Sequence, residues 1–175
     1  SGLHVSHDRV YGVSPQSGSF VSFTRDPGTG HIQPGKTVSQ GDPIGLPLAG
    51  LESVAVSPDG KHVYAVNAQR GALVVLKTPD PGSSLQELSV RATYLDGFNG
   101  HDYLKGASAV AVSPDGETVY VAAPGDNAMV TYRRNPWSGR LTVKGHLSAS
   151  DEIGYRDIRA LAVSPDGLGV YAVGD

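Results

Sequence analysis

Apolar and polar positions along the chain form short segments that are separated by turns. Leu51–Ser57 (LESVAVS) is mostly apolar, and the turn Pro58–Gly60 follows it. Lys61–Asn67 (KHVYAVN) then alternates, so that Val63 and Ala65 face one side of a strand and His62, Tyr64 and Val66 face the other. A period of two residues is typical of β-strands. The turn PDG is chemically specified, because proline presets φ, aspartate bonds to nearby backbone and glycine accepts positive φ. Residues 51–67 are therefore predicted to form a β-hairpin.

Two more predicted strands complete this unit of the chain. They are GALVVLK at Gly71–Lys77 and LQELSV at Leu85–Val90, with the turn TPDPGSS between them. The next unit repeats the order, with GASAVAVS, PDG, ETVYVAA, NAMVTYRR, the turn NPWSG and RLTVKGHL. Each unit is therefore predicted to contain four antiparallel strands.

The hexapeptide AVSPDG marks an internal repeat. It occurs three times, a degraded copy (HVSHD) begins at His4, and the serines of the four copies are separated by 51, 56 and 51 residues. No segment shows the sustained 3.6-residue apolar period of helical repeats, so the unit is built of strands. Four antiparallel strands in a repeat of about 50 residues indicate a β-propeller blade.

We therefore predict an all-β fold, a single β-propeller fragment built of four-stranded antiparallel blades. The ring is expected to be incomplete, with three full blades and about half of a fourth. The full blades are expected at approximately residues 2–40, 50–91 and 106–148, and the partial blade at 158–175. The AVS strand of each unit should be the innermost one. Tyrosines that recur at one position of the second strand should lie in the core: Tyr11, Tyr64, Tyr120 and Tyr171.

An arc of three and a half blades leaves two apolar blade faces and a strand edge uncovered, and soluble proteins normally cover such surfaces. We expect another copy of this chain, the rest of a longer propeller or a different subunit to close the ring. The stop at YAVGD, where a third strand should begin, slightly favours a fragment. The sequence leaves these alternatives open.

Composition and charge exclude several classes of function. The net charge is −3, the pI is near 6.0 and no basic run exceeds Arg133–Arg134, so nucleic acid is not an expected partner. No apolar stretch approaches the ~18 residues of a membrane-spanning helix. The absence of cysteine excludes a disulfide framework and thiolate chemistry. No cofactor is expected, and an extracellular or periplasmic location is favoured over the cytoplasm without being established.

Candidate chemistry concentrates in three long loops that lead into the innermost strands, at residues 40–50, 94–106 and 148–158. A small ligand at the channel mouth would meet polar side chains there. The candidate binding residues are Asp96, Asn99, His101, Asp102, Asp151, Glu152, Arg156 and Arg159. The segment DGFNGHD does not reproduce the calcium-loop pattern, and exposed acids are mostly solvated, so no metal and no catalytic residue are assigned.

The motifs resemble a known family. LAVSPDG, VYAVN and the turn DPGTG resemble the repeats of bacterial YVTN and lactonase-like β-propellers over nearly the whole chain. In the lactonase-like propellers an Arg-His pair often precedes the strand that ends in the SPDG turn and faces the channel, and the resemblance implies such a pair at the equivalent positions of this chain. At these positions the chain has Glu52-Ser53, Ser108-Ala109 and Arg159-Ala160. Of the implied pair only Arg159 is retained, and the histidine is missing from every copy.

Two functional hypotheses follow. The first is a non-enzymatic propeller module, part of a larger or self-associating ring, that binds a protein or small ligand through the long loops. The alternative is a lactonase-like hydrolase whose site needs the missing blades. Because the innermost strands carry mainly Val, Ala and Leu, the sequence favours the binding module and leans away from an enzyme.

Overall fold

The computed structural model describes residues 2–5, 8–14, 16–39, 49–78, 88–148 and 158–174. In these ranges the chain forms three four-stranded antiparallel sheets and one two-stranded sheet. Blade 1 consists of β1 (Gly2–Val5), β2 (Arg9–Ser14), β3 (Ser19–Arg25) and β4 (Ile32–Ser39). Blade 2 consists of β5 (Leu51–Val56), β6 (His62–Asn67), β7 (Ala72–Lys77) and β8 (Ser89–Leu95).

The second half of the chain repeats this arrangement. Blade 3 consists of β9 (Ala109–Val112), β10 (Thr118–Ala123), β11 (Ala128–Arg134) and β12 (Leu141–Ser148). Blade 4 has the two strands β13 (Ile158–Val163) and β14 (Val170–Gly174), and one 3-10 turn lies at Pro124–Asp126. The predicted fold class is confirmed as an all-β propeller with an open, incomplete ring.

The strands pair in chain order within each blade, and the first strand of each blade contacts the first strand of the next. The strands β1, β5, β9 and β13 therefore lie innermost, around the channel axis. The fourth strand of blade 2 runs on to Leu95, past the predicted boundary at residue 91. The segment LQELSV lies mostly outside the described residues, which resume at Leu88.

The recurring turn has the predicted chemistry. Gly60 adopts a φ of 69°, and the Asp59 carboxylate accepts hydrogen bonds from the Lys61 amide (3.1 Å) and the Ser57 hydroxyl (2.6 Å). Ser57 also accepts a hydrogen bond from the His62 amide at 3.0 Å, which joins the two ends of the turn. The copies at residues 113–118 and 164–169 share these bonds, so local side chains stabilise the hairpins of blades 2, 3 and 4.

Blades stack face to face and bury their apolar residues between them. One cluster joins blade 1 to blade 2 and includes Tyr11, Phe20, Val54, Val63 and Val74. A second cluster joins blade 2 to blade 3 and includes Tyr64, Val66, Leu73, Val121 and Tyr132. A two-residue side-chain period allows each sheet to bury both faces, because alternate residues point to opposite neighbours.

The burial of the recurring tyrosines depends on the next blade. Tyr11 and Tyr64 are buried as predicted, and Tyr120 is half-buried against the two-stranded blade 4. The prediction is wrong for Tyr171, which is 63% exposed. This tyrosine occupies the same register position as the others, but no sheet of the described chain packs on its side of blade 4.

A buried polar contact, which we call the clasp, joins blades 2 and 3. Arg134, at the end of β11, is 4% exposed, and its Nη2 donates to both carboxylate oxygens of Asp59 at 2.9 and 2.8 Å. Its Nε donates to the Tyr64 hydroxyl at 2.9 Å, and that hydroxyl donates to the Gly139 carbonyl at 3.0 Å. Asp59 thus has a second function beyond shaping its own turn.

Ionisation in the clasp follows from burial and from the Arg134 charge. Burial, with the nearby guanidinium, lowers the pKa of His62 to about 4, and burial raises the pKa of Tyr64 to about 12. Burial alone would raise the pKa of Asp59, but hydrogen bonds from Ser57 and Arg134 outweigh it and lower the value. Arg134 lies 3.0 Å from His62 Nδ1, and a guanidinium only donates, so His62 is neutral with Nδ1 as acceptor.

We expect the stability of the chain to fall between about pH 6.5 and pH 4. In this range unfolded His62 binds a proton that native His62 excludes, so acidification favours the unfolded state. The contribution of one group is at most about 1.4 kcal/mol per pH unit. Urea unfolding at pH 7 and pH 5 measures this slope, and His62→Gln, which keeps an acceptor but does not titrate, should reduce it. An unchanged slope in the variant would assign the effect to other groups.

Candidate functional site

The innermost strands line an open groove of about 450 Å³. Most of its wall is backbone and small apolar side chains, as the sequence predicted for these strands. Polar and charged residues from three of the four blades are among those that line it: His4 of blade 1, Glu52 and Ser53 of blade 2, and Arg159 of blade 4. An acidic and a basic residue, Glu52 and Arg159, therefore both border the groove.

Glu52 and Arg159 occupy equivalent positions in their blades. In β5 the pairing register with β6 shifts between Leu51 and Ser53, and in β13 the register with β14 shifts between Ile158 and Ala160. The extra residue of such a β-bulge leaves the regular alternation of the strand, and its side chain is re-aimed. The bulge therefore explains why a charged residue can face the groove on a strand whose other residues pack between blades.

Ser108 holds the corresponding position in blade 3, directly before Ala109, which pairs with Ala122. Its hydroxyl donates a hydrogen bond to the Ile158 carbonyl of blade 4 instead of lining the groove. This hydrogen bond joins blade 3 to blade 4 at Ile158, the residue directly before Arg159 and the bulge.

His4 lies on β1 opposite Tyr11, where the other blades have alanine. Its side chain is half-buried in the wall of the groove, and burial lowers its pKa, so the imidazole is neutral near pH 7. A neutral imidazole can accept a proton, which makes His4 a candidate general base.

The predicted binding residues of the loop between blades 2 and 3 lie apart from this groove. The Asp96 carboxylate accepts a hydrogen bond from the Leu104 amide at 2.8 Å, so it holds the loop in shape. Asn99 is exposed with a φ of 53°, and Asp102 is exposed as well. None of the three lines the groove.

His101 packs between outer strands of neighbouring blades. Its ring centroid lies 4.3 Å from that of Tyr94 on β8 and 5.9 Å from that of Tyr132 on β11. Burial lowers the pKa of His101, and the charge of Asp102 opposes this shift only in part. The structure therefore brings His101 to Tyr94 and Tyr132 and not to Arg159.

Three other predicted binding residues, Asp151, Glu152 and Arg156, lie outside the described residues. Arg159 is the predicted residue that the structure places in the groove. Sequence reasoning did not select Glu52 or His4. For Glu52 a signal existed, because a charged residue recurs three residues ahead of the AVS segment in blades 2 and 4. In the described part of the chain, no group of three possible ligands is placed to hold a metal ion.

The fold and groove define a β-propeller with charged side chains at its axis. The family model described as "Lactonase, 7-bladed beta-propeller" matches residues 47–175, and the chain therefore belongs to this family. A curated relative, the 6-phosphogluconolactonase of Bacillus subtilis, is 26% identical over 117 residues, which are 67% of this chain and 33% of that protein. The chain thus spans about a third of the length of this relative.

Solved structures show the same fold at low sequence identity. The periplasmic gluconolactonase of Pseudomonas aeruginosa matches with a TM-score of 0.69 and 21% identity, covering 98% of this chain and 46% of that one. Hydrazine synthase of Kuenenia stuttgartiensis matches with a TM-score of 0.66 and 23% identity, covering 99% of this chain and 41% of that one. Structures with such different names share this fold, so the fold alone does not identify the reaction.

The family match corrects the sequence-based preference. A non-enzymatic binding module was the first hypothesis, and it is wrong, because the family and the curated relative are named for lactonases. The preference relied on the missing Arg-His pair and on apolar innermost strands. It overlooked that a bulge brings charged side chains into the groove without changing the apolar pattern. In the described ranges, no helix has the length and apolar character needed to span a membrane.

Proposed function

We propose that this chain forms part of the active site of a sugar-lactone hydrolase, with the groove of the innermost strands as its substrate surface. The observation that supports this most directly is the presence of His4, Glu52 and Arg159 in one groove of a lactonase-family chain. The curated relative is named for 6-phosphogluconolactone, and a solved relative for gluconolactone. An extracytoplasmic location is part of the proposal, since the latter is named periplasmic.

The chemistry of lactone hydrolysis matches these residue types. Water attacks the ring carbonyl, a negative charge develops on the carbonyl oxygen, and the ring oxygen leaves with a proton. The Arg159 guanidinium supplies a fixed positive charge for the oxyanion or for an anionic group of the substrate. Neutral His4 can take the proton of the attacking water and return it to the leaving oxygen. The Glu52 carboxylate can accept hydrogen bonds from sugar hydroxyls.

Replacing Arg159 with alanine should abolish most lactone hydrolysis. The loss of an electrostatic stabiliser of this kind typically costs about 100-fold or more in kcat. The measurement is the rate of acid release from glucono-δ-lactone and from its 6-phosphate, after subtraction of the spontaneous rate. A larger loss with the 6-phosphate would show that Arg159 also binds the phosphate.

Arg140→Ala is the matched control, because Arg140 is an exposed arginine in the outer turn of blade 3, away from the groove. It should keep the rate of the unchanged chain, while His4→Ala and Glu52→Gln should each reduce it. Equal rates for Arg159→Ala and Arg140→Ala would contradict the assignment of the groove. A chain with no rate above background and no binding of gluconate would contradict the proposed function of this chain.

A further inference from the structure

Two neighbouring rings between blades 2 and 3 each carry a buried polar atom. His101 belongs to the loop that follows β8 of blade 2, and Tyr132 lies on β11 of blade 3. The planes of the two rings are 20° apart, and their centroids are 5.9 Å apart. His101 Nδ1 and the Tyr132 hydroxyl are both fully buried, and neither has a hydrogen-bond partner in the described part of the chain.

Such atoms normally have a partner. Buried polar groups of folded proteins are nearly always hydrogen-bonded to protein or to ordered water, because a group that leaves solvent and gains no hydrogen bond destabilises the fold. Two such atoms on adjacent rings therefore indicate one partner that both of them share.

The two atoms have complementary hydrogen-bonding capacities. Burial lowers the pKa of His101, so the imidazole is neutral near pH 7, and with its proton on Nε2 the Nδ1 atom accepts. Burial raises the pKa of Tyr132, so the phenol keeps its proton and donates. A water molecule between them would accept from the phenol and donate to the imidazole.

The surroundings supply further polar groups for such a water. Tyr94 and Asp96 lie near enough to the Tyr132 hydroxyl for their charges to raise its pKa further. The Tyr94 hydroxyl accepts from the Leu141 amide at 2.7 Å, and one carboxylate oxygen of Asp96 accepts from the Leu104 amide at 2.8 Å. A phenol can also donate, and a carboxylate has a second oxygen. Since a buried water typically makes about three hydrogen bonds, this cluster has enough polar groups to hold one.

The backbone of the loop returns His101 to this cluster. The residues with a left-handed backbone are Gly97 (φ 74°), Asn99 (φ 53°) and Gly100 (φ 75°). The chain reverses there, and the His101 amide donates to the Phe98 carbonyl at 3.0 Å. The His101 ring then packs on Tyr94 with their centroids 4.3 Å apart. The buried position of Nδ1 is therefore a consequence of the loop conformation.

We propose that one buried water molecule bridges His101 Nδ1 and the Tyr132 hydroxyl, and that it hydrogen-bonds the loop of residues 94–106 to blade 3. This connection adds to the exposed hydrogen bond from the Lys105 amide to the Asp126 carboxylate (2.9 Å). The site lies inside the contact between two complete blades. It does not depend on the lactonase function, since neither His101 nor Tyr132 lines the groove.

Tyr132→Phe separates a bridged hydroxyl from an unpartnered one, because the two cases have opposite signs. A bridged hydroxyl contributes a hydrogen bond, so its removal should raise the equilibrium constant for unfolding about fivefold. An unpartnered hydroxyl only costs desolvation, so its removal should lower that constant. Urea unfolding at pH 7 measures the change. A lower or an unchanged constant would overturn the proposal.

Tyr103→Phe is the matched control, because it removes the same atom from an exposed tyrosine of the same loop. It should change the equilibrium constant for unfolding by less than about twofold. Tyr94→Phe removes a hydroxyl with a direct partner, the Leu141 amide, and should therefore destabilise the chain. Circular dichroism should show that all of these variants fold.

The double variant His101→Phe/Tyr132→Phe tests whether the two residues share one partner. His101→Phe keeps a ring against Tyr94 but removes Nδ1, so it should also raise the equilibrium constant for unfolding about fivefold. Because a single water serves both side chains, the double variant should lose less stability than the two single variants added together. Additive losses would mean that the two atoms have separate partners, and would overturn the proposal.

A high-resolution crystal structure of the unchanged chain locates the bridge directly. We expect density for one ordered water within hydrogen-bonding distance of both His101 Nδ1 and the Tyr132 hydroxyl. A direct hydrogen bond between the two side chains, or no water between them, would overturn the proposal whatever the stability of the variants.

Discussion

Gly139→Ala is expected to destabilise the chain by about 3 kcal/mol. Gly139 adopts a φ of 71°, where a Cβ alone costs about 1–2 kcal/mol. The added Cβ would also lie 2.2 Å from Cδ2 of the His62 ring, which is buried and bonded to Arg134. The ring has no room to move, so the strain spreads into the clasp, and overpacking of this kind costs about a further 1–3 kcal/mol.

Gly30→Ala is the matched control for the steric part of this effect. Gly30 has the same turn position in blade 1 and a similar φ of 76°, but no described atom lies within 4 Å of its added Cβ. It should therefore cost only about 1–2 kcal/mol. Urea unfolding of both variants measures the difference, and equal losses would show that the contact between Gly139 and His62 does not contribute.

Arg134→Ala is expected to cost about 3 kcal/mol, at the lower end of the range for breaking a buried ion pair. The substitution leaves the Asp59 carboxylate, whose side chain is 32% exposed, without its arginine, and the partial exposure limits the loss. It also removes the donor to the Gly116 carbonyl, which lies 3.0 Å from Nη1. Because these groups belong to two different blades, the loss weakens the contact between blades more than either blade alone.

Arg133→Ala is the control for Arg134, because Arg133 is the adjacent residue of β11 but is exposed. It should change the free energy of unfolding by less than about 0.5 kcal/mol. Arg134→Lys should lose nearly as much as Arg134→Ala, since an ammonium cannot bind Asp59, Tyr64 and Gly116 together. A full rescue by lysine in denaturant unfolding would show that charge alone is sufficient.

The blade architecture could be predicted because it depends on local patterns. The AVSPDG turn specifies a hairpin through Ser57, Asp59 and Gly60, and four copies at a regular spacing imply a repeated sheet. The predicted innermost strands follow from the same pattern. The burial of Tyr171 could not be predicted in this way, because the repeat sets its register but the neighbouring blade sets its burial.

The candidate site was harder to predict because it depends on non-local geometry. Loops of about a dozen residues suggested His101 and Asp102, but the loop folds back onto outer strands, where His101 packs against Tyr94 and Tyr132. Glu52 and Arg159 are 107 positions apart in the sequence and lie in one groove. Their convergence requires both the stacking of blades and a bulge in each strand, and neither is visible in a local pattern.

The sequence by itself determined the repeat, the strands, the turns and the innermost position of the AVS strands, because backbone preferences and a two-residue apolar period act over a few residues. The tertiary structure alone decided which polar side chains meet. It joined Arg134 to Asp59 across two blades, and it brought Glu52, Arg159 and His4 to one groove. The physical reason is that the position of each blade depends on contacts with its neighbours, and those contacts join residues far apart in the chain.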